Sequence, residues 1–239
     1  MSTPETTATT HPRLPARRGG GAGTWWSKAV LRAVEEAAFG EKDLRVGRRL
    51  ARAGAVGAIT VSEGGAVAAV SDGQDAFTVQ VTVPVLDAAD VAAFVELVAA
   101  ESGRIGALLA GQLPHSFVEA VEEAGVELLP YGGELGSACS CDAWLDPCPH
   151  ALAVLTQLAW LIQVDPFVLI HLRGLARERV LRDLHRLVRQ PGVGAPPDRE
   201  SPGDSTPGGP DDVDDLVVAE DAAVRAARLL RLESPFDAW

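Results

Sequence analysis

Cysteine, methionine and tyrosine are almost missing from this chain, at three, one and one in 239 residues. Lysine occurs only as Lys28 and Lys42, so arginine carries nearly all the positive charge. No apolar run reaches the roughly 18–20 residues that a membrane span requires. The N-terminal stretch MSTPETTATTHPRLPARRGGGAGT has no apolar centre of the kind a secretory signal needs. A reducing, cytoplasmic setting is therefore expected, and three cysteines, an odd number, do not form a disulfide framework there. Phosphate-binding loops of the GxxxxGK[ST] type, GxSxG elbows and GxGxxG fingerprints are also absent. The chain is accordingly expected not to be an enzyme, and any ATPase engine associated with it belongs to another polypeptide.

The charge that is present is unevenly placed. Residues 1–60 hold ten basic against five acidic side chains, whereas residues 61–172 hold one, Arg104, against fifteen acids. Residues 173–191 turn basic again, with six arginines against two acids, inside a chain of net charge -12. The middle of the chain repels phosphate; its flanks do not. Arg45, Arg48, Arg49 and Arg52 recur at i, i+3, i+4 and i+7 of a helical pattern and are the leading candidates for nucleic-acid contact. Arg177, Arg179, Arg182, Arg186 and Arg189 form a second set.

Composition and periodicity predict an α+β fold. Residues 1–23 read as a disordered tail, 24–190 as a globular domain, 191–210 as a Pro/Gly-rich disordered linker, and 211–239 as a short C-terminal helix and tail. Within the domain, Val30, Val34, Ala37 and Ala38 recur at helical spacing, and the pattern breaks near Gly40 and resumes at Leu44. AVGAITV, AVAAV and FTVQVTV, separated by SEGG and SDGQD, predict a three-stranded antiparallel meander. Asp87 is a predicted N-cap before the stripe Val91, Phe94, Val95 and Val98. Downstream, ALAVLTQLAWLI is apolar on nearly every side and reads as a buried helix.

All three cysteines fall within LGSACSCDAWLDPCPHAL, as Cys139-x-Cys141, six residues, then Cys148-x-His150. In an extended segment residues 139 and 141 project from one face, so two thiolates can close on one ion. Pro149 suits the first turn of the buried helix, which places His150 beside Cys148 at its N-terminus. Three thiolates and an imidazole make a closed tetrahedral set, which selects Zn2+ and leaves no open coordination position. Such a site carries about 10–16 kcal/mol of apparent binding free energy, coupled to local folding. A redox-active Cys-x-Cys pair and three unrelated buried cysteines are the competing readings. Trp25-Trp26 reads as a pair of packing anchors rather than a stacking platform.

The pattern CxC…CxH leading straight into an apolar helix resembles the SWIM zinc finger, a family named for Swi/Snf-type helicase-like ATPases and Mutator-type transposases. CDAWLDPCPHALAVL is similar to the family's Cys-x-x-Trp…Pro-Cys-x-His-x-x-Ala-Val-Leu. DPFVLIHLRGL, TWWSKAVLRAVEE and the three-strand run resemble bacterial members, so the likeness covers roughly 24–188, with the finger itself at about 126–165. The resemblance implies Cys139, Cys141, Cys148 and His150 as zinc ligands. It also implies a module that binds protein or DNA, in bacteria often encoded beside a helicase-like ATPase. Pro149 stands where the family often has Lys or Arg, which removes a basic contact from the finger. The leading expectation is thus a zinc-organised, non-enzymatic interaction module serving a helicase-like ATPase. A direct nucleic-acid binder using the arginine stripe and a thiol redox enzyme are the alternatives.

Overall fold

The computed structural model describes residues 8–18 and 23–189. The predicted linker and C-terminal helix lie outside these residues. Among the described residues, eight α-helices accompany one sheet of five antiparallel strands, whose spatial order follows the chain order. The strands are β1 (Thr9–His11), β2 (Val56–Ser62), β3 (Gly65–Asp72), β4 (Asp75–Thr82) and β5 (Gly136–Cys139). The helices are α1 (Trp25–Ala37), α2 (Glu41–Arg52), α3 (Ala88–Ala100), α4 (Ser102–Leu109), α5 (His115–Glu123), α6 (Pro149–Val164), α7 (Phe167–Leu172) and α8 (Arg177–Arg189).

The expected meander is present as β2, β3 and β4, but it is the middle of the sheet, not the whole of it. Two short strands extend it, and neither carries the alternation that reveals a strand in sequence. β1 lies within the stretch read as a disordered tail and pairs Thr9 with Val61 and His11 with Ile59. Its chain is held further by Arg13, whose guanidinium donates to the Gly54 carbonyl, and by the Arg17 amide, which donates to Arg52 O at 2.8 Å. β5 pairs with β4 from Thr82–Gly136 to Val79–Cys139. Both strands exist because a longer neighbour offers a free ladder, a long-range condition that no local window contains.

The sheet buries one face, on which Ile59, Val61, Ala68, Val70, Val79 and Val81 are almost fully excluded from solvent. Thr78, Gln80 and Thr82 on the opposite face of β4 are exposed, as strict alternation requires. Helix α6 lies at the centre of the molecule, against the sheet on one side and α1 and α2 on the other. Twelve of its sixteen residues are buried, which explains why its sequence shows no polar face. Trp26 fixes α1 to α6 by donating from Nε1 to Ile162 O at 3.0 Å, and Trp25 Nε1 donates to Leu113 O at 3.0 Å. The two tryptophans are packing anchors. Gly47 lets α2 approach the start of α6: a Cβ there would lie 2.7 Å from Leu152 Cβ and 2.9 Å from the Pro149 carbonyl oxygen. Among the described residues no helix is long and apolar enough to cross a membrane.

Candidate zinc centre

Two elements meet to build the centre. Strand β5 delivers Cys139 opposite Val79 of β4, and the pairing continues one residue further, with the Ser140 amide donating to Thr78 O at 3.0 Å. The strand ends at Cys139 and the chain bends at Ser140 and Cys141, so the two sulfurs meet through this bend rather than through the alternation of an extended segment. Helix α6 delivers the other two donors. Cys148 is its N-cap, with Sγ accepting from the Ala151 amide at 3.5 Å, and Pro149 occupies the first helical position. His150 follows in the first turn, as the Pro149 placement predicts.

The ligand atoms of Cys139, Cys141, Cys148 and His150 all lie within 4.8 Å of one another, and Cys139 Sγ is 3.8 Å from His150 Nδ1. Zinc–sulfur bonds of about 2.3 Å in a tetrahedron place neighbouring donors about 3.8 Å apart. The constellation therefore has the size, the soft donors and the burial of a structural zinc site. Cys148 and His150 are buried and the other two half-buried, so the set closes on itself.

The orientation of His150 depends on residues that no local motif contains. Asp72, at the end of β3, places Oδ2 at 3.4 Å from His150 Nε2. That contact assigns the proton to Nε2 and leaves the Nδ1 lone pair facing the sulfurs, the arrangement in which a carboxylate orients a metal-binding imidazole. Phe77 of β4 stacks on the ring, 4.3 Å between centroids and 19° between planes. In the sequence Asp72 belongs to a turn and Phe77 to an alternating strand; the hairpin between β3 and β4 carries both to the imidazole.

The thiols are unequal. Burial alone would raise Cys141, but hydrogen bonds to its sulfur, first from the Ala143 amide and then from the neighbouring thiols, outweigh it and lower its pKa to about 7. Burial first, then the neighbouring sulfurs, push Cys139 up to about 12, and burial also raises Cys148. A divalent ion would be held by all three as thiolates, at the expense of the protons on Cys139 and Cys148.

Residues 123–159 match the SWIM zinc finger family. The centre is a SWIM zinc finger, and it binds Zn2+. Its match covers the end of α5, β5 and most of α6, so the motif includes the central helix of the fold. The chain is also 31% identical over 170 residues to the uncharacterized protein Rv2102 of Mycobacterium tuberculosis, an alignment covering 70% of this chain and 61% of that one. The chain thus spans less than two thirds of that relative's length. No solved structure matches it.

The SWIM finger and the arginine stripe are separate features. In α2, Arg48 is paired with Glu35 of α1, and Arg45 lies 3.8 Å from Glu41. Arg49 and Arg52 are exposed and form no ion pair among the described residues. In α8, Arg179 and Arg186 share Asp183, at 3.8 and 3.3 Å, and Arg177 lies over the Phe167 ring at 4.9 Å.

Proposed function

We propose that this protein is a non-enzymatic interaction module in which zinc fixes the shape of a docking knuckle. The observation that carries the reading is Trp144. Its side chain stands 92% exposed in the loop between the ligand pairs, whereas Trp25, Trp26 and Trp160 are half-buried or buried. Large exposed aromatics are the usual anchors of protein interfaces. The loop that presents it is short, closed by Cys141 and Cys148 at its ends, and tied by the Ser137 hydroxyl donating to the Asp146 carboxylate. Zinc bound beneath it holds the knuckle in one conformation, which lowers the ordering cost of association.

The surface around Trp144 favours a protein partner over nucleic acid. Asp142 and Asp146 flank it in the loop, and Asp72 and Asp75 are exposed on the adjacent hairpin. SWIM zinc fingers mediate protein or nucleic-acid interactions, and the acidic rim here repels phosphate. The bacterial group that the sequence resembles supports a helicase-like ATPase as the partner, and the absence of a phosphate-binding loop in this chain supports a division of labour.

The test is affinity capture from the native cell with tagged full chain, Trp144→Ala and Cys148→Ala. A helicase-like ATPase identified by mass spectrometry is expected with the native chain and lost with both variants. Trp144→Ala should retain about one zinc per chain, while Cys148→Ala should not. Undiminished capture by Trp144→Ala, with its zinc retained, would sink the docking role.

A further inference from the structure

Two segments distant in sequence bring arginines together outside the zinc-ligand loop. Arg17 and Arg18 end the described N-terminal segment, and Arg49 and Arg52 end α2. The backbone bond from Arg17 N to Arg52 O, 2.8 Å, joins the two, and Arg13 adds a fifth guanidinium on Gly54 O. Neither residues 8–18 nor residues 44–60 contain a carboxylate. None of these five arginines forms an ion pair among the described residues, and Arg18, Arg49 and Arg52 are exposed.

Ordinary structural roles account for part of this set. Arg13 satisfies a carbonyl just beyond the α2 C-terminus, and Arg17 covers the Trp160 ring at 4.9 Å. Cations near a helix C-terminus are favoured by the dipole, but Arg13 already supplies one there. Arg18, Arg49 and Arg52 are left with no internal counter-charge in a chain whose net charge is -12. The arginines of α8 differ in having carboxylates on their own helix, Glu178 and Asp183, the second of which Arg179 and Arg186 share.

We propose that Arg18, Arg49 and Arg52, flanked by Arg13 and Arg17, form a binding face for the phosphate backbone of nucleic acid. Guanidinium groups pair bidentately with phosphate. The aromatic beneath Arg17, Trp160, is only 3% exposed, so the face offers charge without a stacking platform and reads backbone rather than bases. Arg17 lies over Trp160 and the zinc ligand His150 opens the same helix; ten residues of helix separate them by about 15 Å. The protein thereby carries a phosphate-binding face and a zinc knuckle on different parts of one rigid helix.

The test is fluorescence anisotropy with a labelled DNA duplex of about 20 base pairs at about 50 mM salt. The native chain should bind, and binding should weaken steeply as salt rises. The triple variant Arg18→Ala/Arg49→Ala/Arg52→Ala should bind at least about tenfold more weakly, with the slope of log K against log salt reduced by about three. Its zinc content and circular dichroism should be unchanged, and Arg182→Ala/Arg186→Ala/Arg189→Ala in α8 should bind as the native chain does. Trp144→Ala should keep full DNA binding, which separates failure of this face from failure of the knuckle. The proposal is overturned by no native binding at that salt, by undiminished binding of the first triple variant, or by an equal loss in the α8 variant. Poly-glutamate competing as well as the duplex would assign the face to an acidic protein segment instead, and would also overturn it.

Discussion

His150 is held from three parts of the chain at once. Its own helix places it, Asp72 fixes its tautomer from the end of β3, and Phe77 packs on its face from β4. Only the first of these was legible in the sequence, because Pro149 and Cys148 are adjacent residues whereas Asp72 is 78 positions away. The four ligands were readable for the same reason that the two supports were not: ligand spacing is local, and support arises from the hairpin. Asp72→Ala should leave the stoichiometry of zinc intact and weaken its affinity about 10–100-fold, as removal of an orienting carboxylate does at other metal sites. Competition with a chromophoric chelator measures this directly, and an unchanged affinity would show that packing by Phe77 alone orients the ring.

At the scale of elements, the contact of α2 with α6 decides how firmly the first turn of α6 is placed. A glycine inside a helix normally costs about 0.5–1 kcal/mol relative to alanine. At Gly47 that gain is not available, since a Cβ would meet a backbone oxygen at 2.9 Å and a Cβ at 2.7 Å, neither of which can swing away. Overpacking typically costs about 1–3 kcal/mol, so the clash wins. Gly47→Ala should destabilise by about 1–2 kcal/mol, whereas Gly106→Ala in α4, with nothing within 4 Å of its Cβ, should stabilise by about 0.5–1 kcal/mol. Thermal melts of the two variants should therefore move in opposite directions. Elements with a strong repeat, such as β4 and α3, were readable from sequence, and Asp87 forms the N-cap it was expected to form, within a capping box with Asp90. β1 and β5 were not, because three- and four-residue strands carry too little pattern and depend on the edges of β2 and β4. The buried Arg173 was equally hidden: it donates to Pro84 O at 2.7 Å and Glu127 O at 2.6 Å, tying three loops that are remote in sequence.

For the whole molecule, the docking of β1 links stability to pH. Burial lowers the pKa of His11 from its ordinary 6.5, His171 lowers it further, and Asp165 opposes them. A histidine with a depressed folded pKa takes up protons more readily when unfolded. Its neutral form therefore supports the fold above pH 6.5, and that support is lost as pH falls below this value. His11→Gln should lose less stability than the native chain between about pH 7 and pH 5. Urea titrations at the two pH values give the comparison, and parallel losses in both proteins would place the acid sensitivity elsewhere.

The β4–β5 pairing has a consequence for solubility. β4 is eight residues long and rich in valine and threonine, and the strand that covers its outer edge has only four. β5 ends in a zinc ligand, so the ion anchors the cover as well as the knuckle. Withdrawing the metal frees β5 and bares a ladder of amide and carbonyl groups of the kind that templates association between chains. Chelation of the native protein is thus expected to give rising light scattering at concentrations where the zinc-loaded form stays clear. A charged residue on the exposed face of β4, as in Thr78→Lys, should suppress it. In this reading the zinc finger protects the sheet from its own copies.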